Sequence, residues 1–216
     1  MEEKKKVVLH GMWASPFVRW VKIALKIKGI TYEYVEESMK KKSQLLLIYN
    51  PIYKKVPVLV HNEKPIVESL IVLQYIDDTW NTSPYLLPSD AYSKSMIDMP
   101  LRKLAASQGI EEEKSMMEVQ MNLNILEENM NVIFPYNSPC GENMGLLDIL
   151  LCCLPNVIKA IEEALNVKIM EPQKYPLTSS RMASLCGLEV ALDTAPSHEK
   201  LVKFFRAYRR FYTHIN

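Results

Sequence analysis

The stretch NPIYKKVPVLVHNEKPIVES, residues 50–69, constrains the fold more than any other part of the chain. VPVLVH is strand-like and KPIVE is a second short run. Asn62-Glu63 between them makes a hairpin turn. Pro57 stands at the mouth of the first run. Proline has no N–H for a sheet ladder, so it is confined to edge strands, strand starts and bulges. Two readings are open. In one, Pro57 is the plain start of an edge strand. Alternatively it forms a cis X-Pro step whose kink leaves the Val56 backbone facing outward, where an extended peptide could pair with it. The second run stops on Glu68-Ser69, an acid and a hydroxyl directly before the helical run SLIVLQYIDDTW.

The segments upstream complete a pattern. KVVLHG reads as a strand ending on glycine. After Ser15-Pro16, FVRWVKIALKIKG places apolar residues at Phe17, Val21, Ala24, Leu25 and Ile27. That is helical spacing, opened by Pro16 and closed by Gly29. ITYEYVEE alternates as a strand, and SQLLLIYN is a short helix entered at Ser43 and ended by Asn50-Pro51. The order over residues 1–80 is βαβαββα. NTSPYLLPSD, across residues 81–90, reads as a linker rich in turn formers. Residues 91–216 read as helices almost only. The expected fold class is therefore α/β plus all-α: an N-terminal thioredoxin-like domain followed by a C-terminal helical-bundle domain.

Composition narrows the function. Net charge is +1, so there is no global basic field for nucleic acid. MEEKKKVVLHG has charges but no long apolar core of a signal peptide. The densest apolar stretch, GLLDILLCCLP, is short for a membrane span and holds Asp148. Cys140, Cys152, Cys153 and Cys186 form no C-x-x-C, a usage that suits buried thiols in a reducing compartment such as the cytoplasm. His10, His61, His198 and His214 are scattered without ligand spacing, so no metal site is expected. Met96, Met99, Met116, Met117, Met121, Met130 and Met144 read first as helical core filling.

Glu68-Ser69 carries chemistry if Ser69 is the N-cap of its helix. A helix N-terminus offers free N–H groups to a carboxylate, and the adjacent acid can take an ammonium. Together they make a receptor for an α-amino acid head group, though serine before a helix also serves as a simple cap. Lys42 and Lys55 flank the same sheet edge and could take a second carboxylate. A short peptide with one amino-acid head, one backbone to pair with Val56 and one terminal carboxylate fits all of these features. Glutathione is such a peptide.

GMWASPF, KKSQLLLIYNP, KKVPVLVHNEKPIVES and YIDDTW followed by LLPSD resemble the plant tau class of glutathione transferases. The likeness continues more weakly through GIEEEKSMMEVQMNLNILEENM, GENMGLLDI and KLVKFFRAYRRFY. The resemblance implies that Ser15 gives a hydrogen bond to the glutathione sulfur. It places Lys42 and Lys55 near the glycine carboxylate, Val56 on the cysteinyl backbone, and Glu68 and Ser69 on the γ-glutamyl head. Pro57 matches the cis proline. The resemblance further implies a homodimer, glutathione as co-substrate, and a hydrophobic electrophile held by a pocket that includes Met12, Phe17 and Val157.

The departures from the family pattern cluster around that pocket. The arginine of S-P-F-x-x-R-V is displaced to Arg19, with Trp20 in its place, a step of about 100° around a helix that threatens its usual partner. AYSKSMIDMPLRKLAASQ replaces a longer helix with an aromatic pair, and Pro100 lies within it. Val157 and Arg181 stand where the family has tryptophans. Three functions fit: conjugation of glutathione to a hydrophobic electrophile, an isomerase or rearrangement enzyme of the same fold, and a non-catalytic carrier of an apolar small molecule.

Overall fold

A computed structural model describes residues 6–38, 40–87, 112–134 and 144–213. The segment around Pro100, with Met96 and Met99, lies outside the described residues, as do Cys140 and His214. The described residues fall into two units. The first runs to Leu86 and also takes in Glu189–Ala195; the second holds the remainder from Leu87 onward.

The first unit begins with β1 (Val7–Gly11), α1 (Pro16–Ile27), β2 (Glu33–Glu36) and α2 (Gln44–Tyr49). It continues with β3 (Val58–His61), β4 (Lys64–Val67) and α3 (Ser69–Thr79). Local chemistry sets most of these boundaries. Ser15 caps α1, its Oγ accepting from Val18 N–H at 3.3 Å, with Pro16 in the first turn. Gly29, at φ 67°, turns the chain out of that helix. Ser43 caps α2, accepting from Leu46 N–H at 3.0 Å. Asn62 and Glu63 both have positive φ, 49° and 65°, as a two-residue hairpin turn of the I′ kind requires.

The sheet order is β2-β1-β3-β4. β1 runs parallel to β2 and antiparallel to β3, and β4 pairs antiparallel with β3. This is the thioredoxin-like βαβαββα arrangement that the sequence pattern predicts. All four residues of β3 are buried, as expected of a strand packed on both faces. Leu46 from α2 packs with Val58 and Val60, while α1 buries Val18, Val21, Ile23, Ala24 and Leu25.

Two features extend this unit beyond residue 80. Lys28, its side chain fully withdrawn from water, pairs with Asp77 and also donates to the carbonyl of Thr82. Asp77 in turn accepts from Leu86 N–H at 2.9 Å. Much of the segment expected as linker is thereby tied to α1 and α3. Farther along the chain, a short helix at Glu189–Thr194 clusters with the first unit rather than with the helical half. Arg19 is buried and donates to the carbonyl of Ala191 at 2.7 Å and to Thr194 Oγ1 at 3.3 Å. The displaced arginine has found partners on this helix, and Lys26 adds an ion pair to Asp193.

With Glu189–Thr194 as α7, the second unit holds α4 (Glu112–Ile133), α5 (Leu146–Leu165), α6 (Pro176–Cys186) and α8 (His198–Thr213). Among the described residues it contains helices and no strands. Leu123, Ile169 and Tyr175 form one core cluster. Glu127 on α4 accepts from Leu177 N–H and Thr178 N–H at 2.8 and 2.9 Å, satisfying free donors at the start of α6. Cys152 and Cys153 are fully buried. Met130 and Met144 are buried, but Met117 and Met121 are more than half exposed and are not core residues. No helix among the described residues is long and apolar enough to cross a membrane.

Candidate functional site

The strand registers bring distant residues to one end of the sheet. His10 of β1 lies opposite Val35 of β2 and opposite Val58 of β3, and Val58 lies opposite Val67 of β4. The carboxyl ends of β1, β2 and β4 therefore meet the amino end of β3. The loops leaving that end carry Met12 and Ser15, then Lys42, then Lys55 and Val56, then Glu68 and Ser69. The six residues singled out for glutathione contact thus share one edge, although 54 positions separate Ser15 from Ser69.

Each loop has its own support. Ser15 is buried to 8% exposure at the N-terminus of α1. Its oxygen is used as an acceptor, which leaves the hydroxyl proton to give. The Val56–Pro57 peptide is cis, and among the described residues the Val56 N–H and C=O make no hydrogen bond. Lys42 and Lys55 are exposed. Asn50 is buried and organises the loop before Val56: its Nδ2 donates to Lys55 C=O at 3.0 Å and its Oδ1 accepts from Tyr53 N–H at 3.2 Å.

The start of α3 differs from the sequence expectation. Ser69 is the first helical residue, and the N-cap is Glu68. The reason lies in the backbone: Glu68 turns through φ 69°, and its carbonyl accepts the first helical bond from Val72 N–H at 2.8 Å. No side chain caps this helix. The first N–H groups of α3 are open beside an exposed acid. A bulky residue at positive φ is uncommon and costs of order 1–3 kcal/mol, and such positions gather at functional sites.

Two acids at the end of β2 brace the edge. Glu36 accepts from Trp13 N–H at 3.0 Å and from the Tyr34 hydroxyl at 2.8 Å, fixing the loop before Ser15. Glu37 is buried and accepts from Ser43 Oγ at 2.7 Å and Ser43 N–H at 3.1 Å, with His10 Nδ1 at 2.8 Å. Burial pushes the Glu37 carboxyl up. The hydrogen bonds from Ser43 and His10 outweigh that and hold it below the usual carboxylate range.

Comparison with known proteins decides the family. The description "Glutathione S-transferase, N-terminal domain" matches residues 5–78. Glutathione S-transferase U9 of Arabidopsis thaliana is 38% identical, over 97% of this chain and 94% of that protein. The tau-class glutathione S-transferase of mango, Mangifera indica, superposes with a TM-score of 0.78 at 33% identity, covering 94% of this chain and 98% of that one.

The chain belongs to the plant tau class of glutathione S-transferases.

Rice GST1, solved in complex with glutathione, has a TM-score of 0.82 at 28% identity, covering 97% of this chain and 99% of that one. As a tau-class transferase the chain belongs to a family of enzymes. In this tau-class chain Met12 and Phe17 are half-buried beside Ser15, and Phe17 meets the Trp20 ring edge-on at 4.8 Å. Val157 is half-buried on α5 in the second unit. Arg181, where the family pattern has an indole, donates to Asp148 at 2.7 Å and lies over the Phe134 ring at 4.2 Å. Sequence reading missed Glu36, Glu37, His10 and Asn50 as supports of the site. The signals available were the consecutive acids closing a strand and the Asn-Pro step closing α2.

Proposed function

We propose that this transferase binds glutathione at the shared sheet edge and activates its thiol with Ser15 for attack on a hydrophobic electrophile. The observation that carries the reading is the start of α3. An uncapped helix N-terminus stands beside Glu68, which is held at positive φ. That pairing suits an α-amino acid head: its carboxylate meets the helix N–H groups and Ser69, and its ammonium meets Glu68. Val56 offers an unpaired N–H and C=O to the cysteinyl backbone, in the manner of an added strand. Lys42 and Lys55 supply positive charge for the glycine carboxylate.

Glutathione supplies the sulfur nucleophile. A free thiol has a pKa near 8.5, so only a few per cent is thiolate at neutral pH. The Ser15 hydroxyl, with its own oxygen occupied by Val18 N–H, can donate to the sulfur. The positive end of α1 favours the anion as well. Lowering the pKa by about two units takes roughly 2.7 kcal/mol, which a charge-assisted hydrogen bond and a helix terminus can provide. Met12 and Phe17, half-buried beside Ser15, are proposed to meet the apolar electrophile. A cytoplasmic homodimer completes the reading.

The test is retention on immobilised glutathione together with turnover of a generic aryl halide. Binding with turnover supports conjugation. Binding without turnover favours the isomerase or carrier reading, and no retention removes the glutathione site.

A further inference from the structure

We infer that His10, Glu37 and Ser43 form a positioning unit that holds the glycine end of the glutathione site, acting through Lys42. This rests on the assignment of Lys42 to the glycine carboxylate made above. Capping α2 requires only that Ser43 Oγ accept from Leu46 N–H, which it does at 3.0 Å. The structure goes further. Ser43 also gives its hydroxyl proton and its backbone N–H to the two oxygens of one carboxylate, Glu37 Oε1 and Oε2. Glu37 Oε1 faces His10 Nδ1 at 2.8 Å, and Glu37 N–H donates to Gly11 C=O at 2.6 Å.

His10 and Glu37 are 2% and 4% exposed, so a carboxylate has been taken out of water at the end of the sheet. Burying an acid is unfavourable unless its oxygens are well supplied with donors. A surface helix cap needs no such group. What the arrangement provides is rigidity: both ends of the contact are locked, one in the interior strand β1 and the other at the N-cap of α2. Satisfied buried networks of this kind hold one geometry. Lys42 is the residue joined to Ser43. Its side chain is exposed, and the residue that follows it, Ser43, is held by the two bonds that end on Glu37. A cation placed this way meets a ligand carboxylate with less conformational freedom to lose on binding.

The test compares glutathione with γ-glutamylcysteine, which has the same head and thiol but lacks glycine. Calorimetric affinities are measured for both ligands with the wild type, Lys42→Ala, Glu37→Gln and Ser43→Ala. Glutamine keeps the volume of Glu37 but presents an N–H₂ where an oxygen now accepts. Glu37→Gln is expected to weaken glutathione about tenfold, the scale of one lost hydrogen bond to a charged group, and to leave γ-glutamylcysteine unchanged. Ser43→Ala, which keeps the backbone bond, should show the same selectivity at about threefold and serves if Glu37→Gln does not fold. Equal losses for both ligands would mean a general structural role and overturn the inference. A silent Glu37→Gln beside a weakened Lys42→Ala would overturn the positioning unit alone. An unaffected Lys42→Ala would overturn the Lys42 assignment and the positioning unit with it.

Discussion

Lys28 Nζ lies 2.7 Å from Asp77 Oδ1, and neither side chain has more than a trace of contact with water. The pair joins α1 to α3 and, through Thr82 and Leu86, ties down the chain that leaves the first unit. Removing one partner of a buried pair strands the other charge, at a cost of about 3–5 kcal/mol. Lys28→Met should therefore lower stability by that order in urea unfolding. Lys28→Met combined with Asp77→Leu should recover part of the loss. A single variant as stable as the wild type would mean that Asp77 is carried by its other partners.

Ser15→Ala separates capping from chemistry. Loss of the cap should cost about 1 kcal/mol of stability, since Ser15 Oγ accepts from Val18 N–H. Loss of the donor should raise the pKa of bound glutathione by about one unit or more. Ultraviolet difference titration of the bound thiolate checks the second effect, and thermal unfolding checks the first. An unchanged titration curve would assign activation of the sulfur to another group.

Much of this edge was legible in the sequence because its signals are local. Ser15-Pro16, Ser43, Asn62-Glu63 and Gly29 each act within four residues, and each sets an element boundary near the expected place. The supports of the site were not legible because their partners are remote. Glu37 meets His10 from 27 positions away, and Arg19 meets Ala191 from 172 positions away. Nothing in EE or in V-R-W announces such a partner. Glu68 is an intermediate case. Its proximity to the helix start could be read, but the positive φ that makes it the N-cap in place of Ser69 is a property of the folded backbone.

Glu68 is predicted to trade stability for binding. Glycine adopts positive φ without the penalty that a side chain carries, so Glu68→Gly should relieve about 1 kcal/mol of local strain. The same change removes the acid proposed for the γ-glutamyl ammonium and should weaken glutathione by about 1.5–3 kcal/mol. The expected pair of results is a melting temperature equal to or above that of the wild type, with a weaker calorimetric affinity. Glu68→Ala should lose the affinity without the gain in stability. Equal affinity in all three proteins would take Glu68 out of the site.

Asp148 gives the second unit a pH dependence whose sign can be worked out. Burial pushes its carboxyl above the ordinary value of 3.8, and the bonds from Arg181 and from Gly145 N–H offset only part of that. A carboxyl raised in the folded state binds its proton more tightly there than in the unfolded chain. Its contribution to stability is therefore fully present below the unfolded pKa and is lost as pH rises through the folded pKa. Arg181→Met removes the main opposing charge, so the carboxyl should rise further and the protein should be less stable at neutral pH. Stability lost at pH 7 should return in part as pH falls toward the carboxylate range. Asp148→Asn in the Arg181→Met background should flatten that dependence. Urea unfolding of the wild type and the two variants between pH 7 and pH 5 measures it. If the slope persists after Asp148→Asn, the titrating group lies elsewhere.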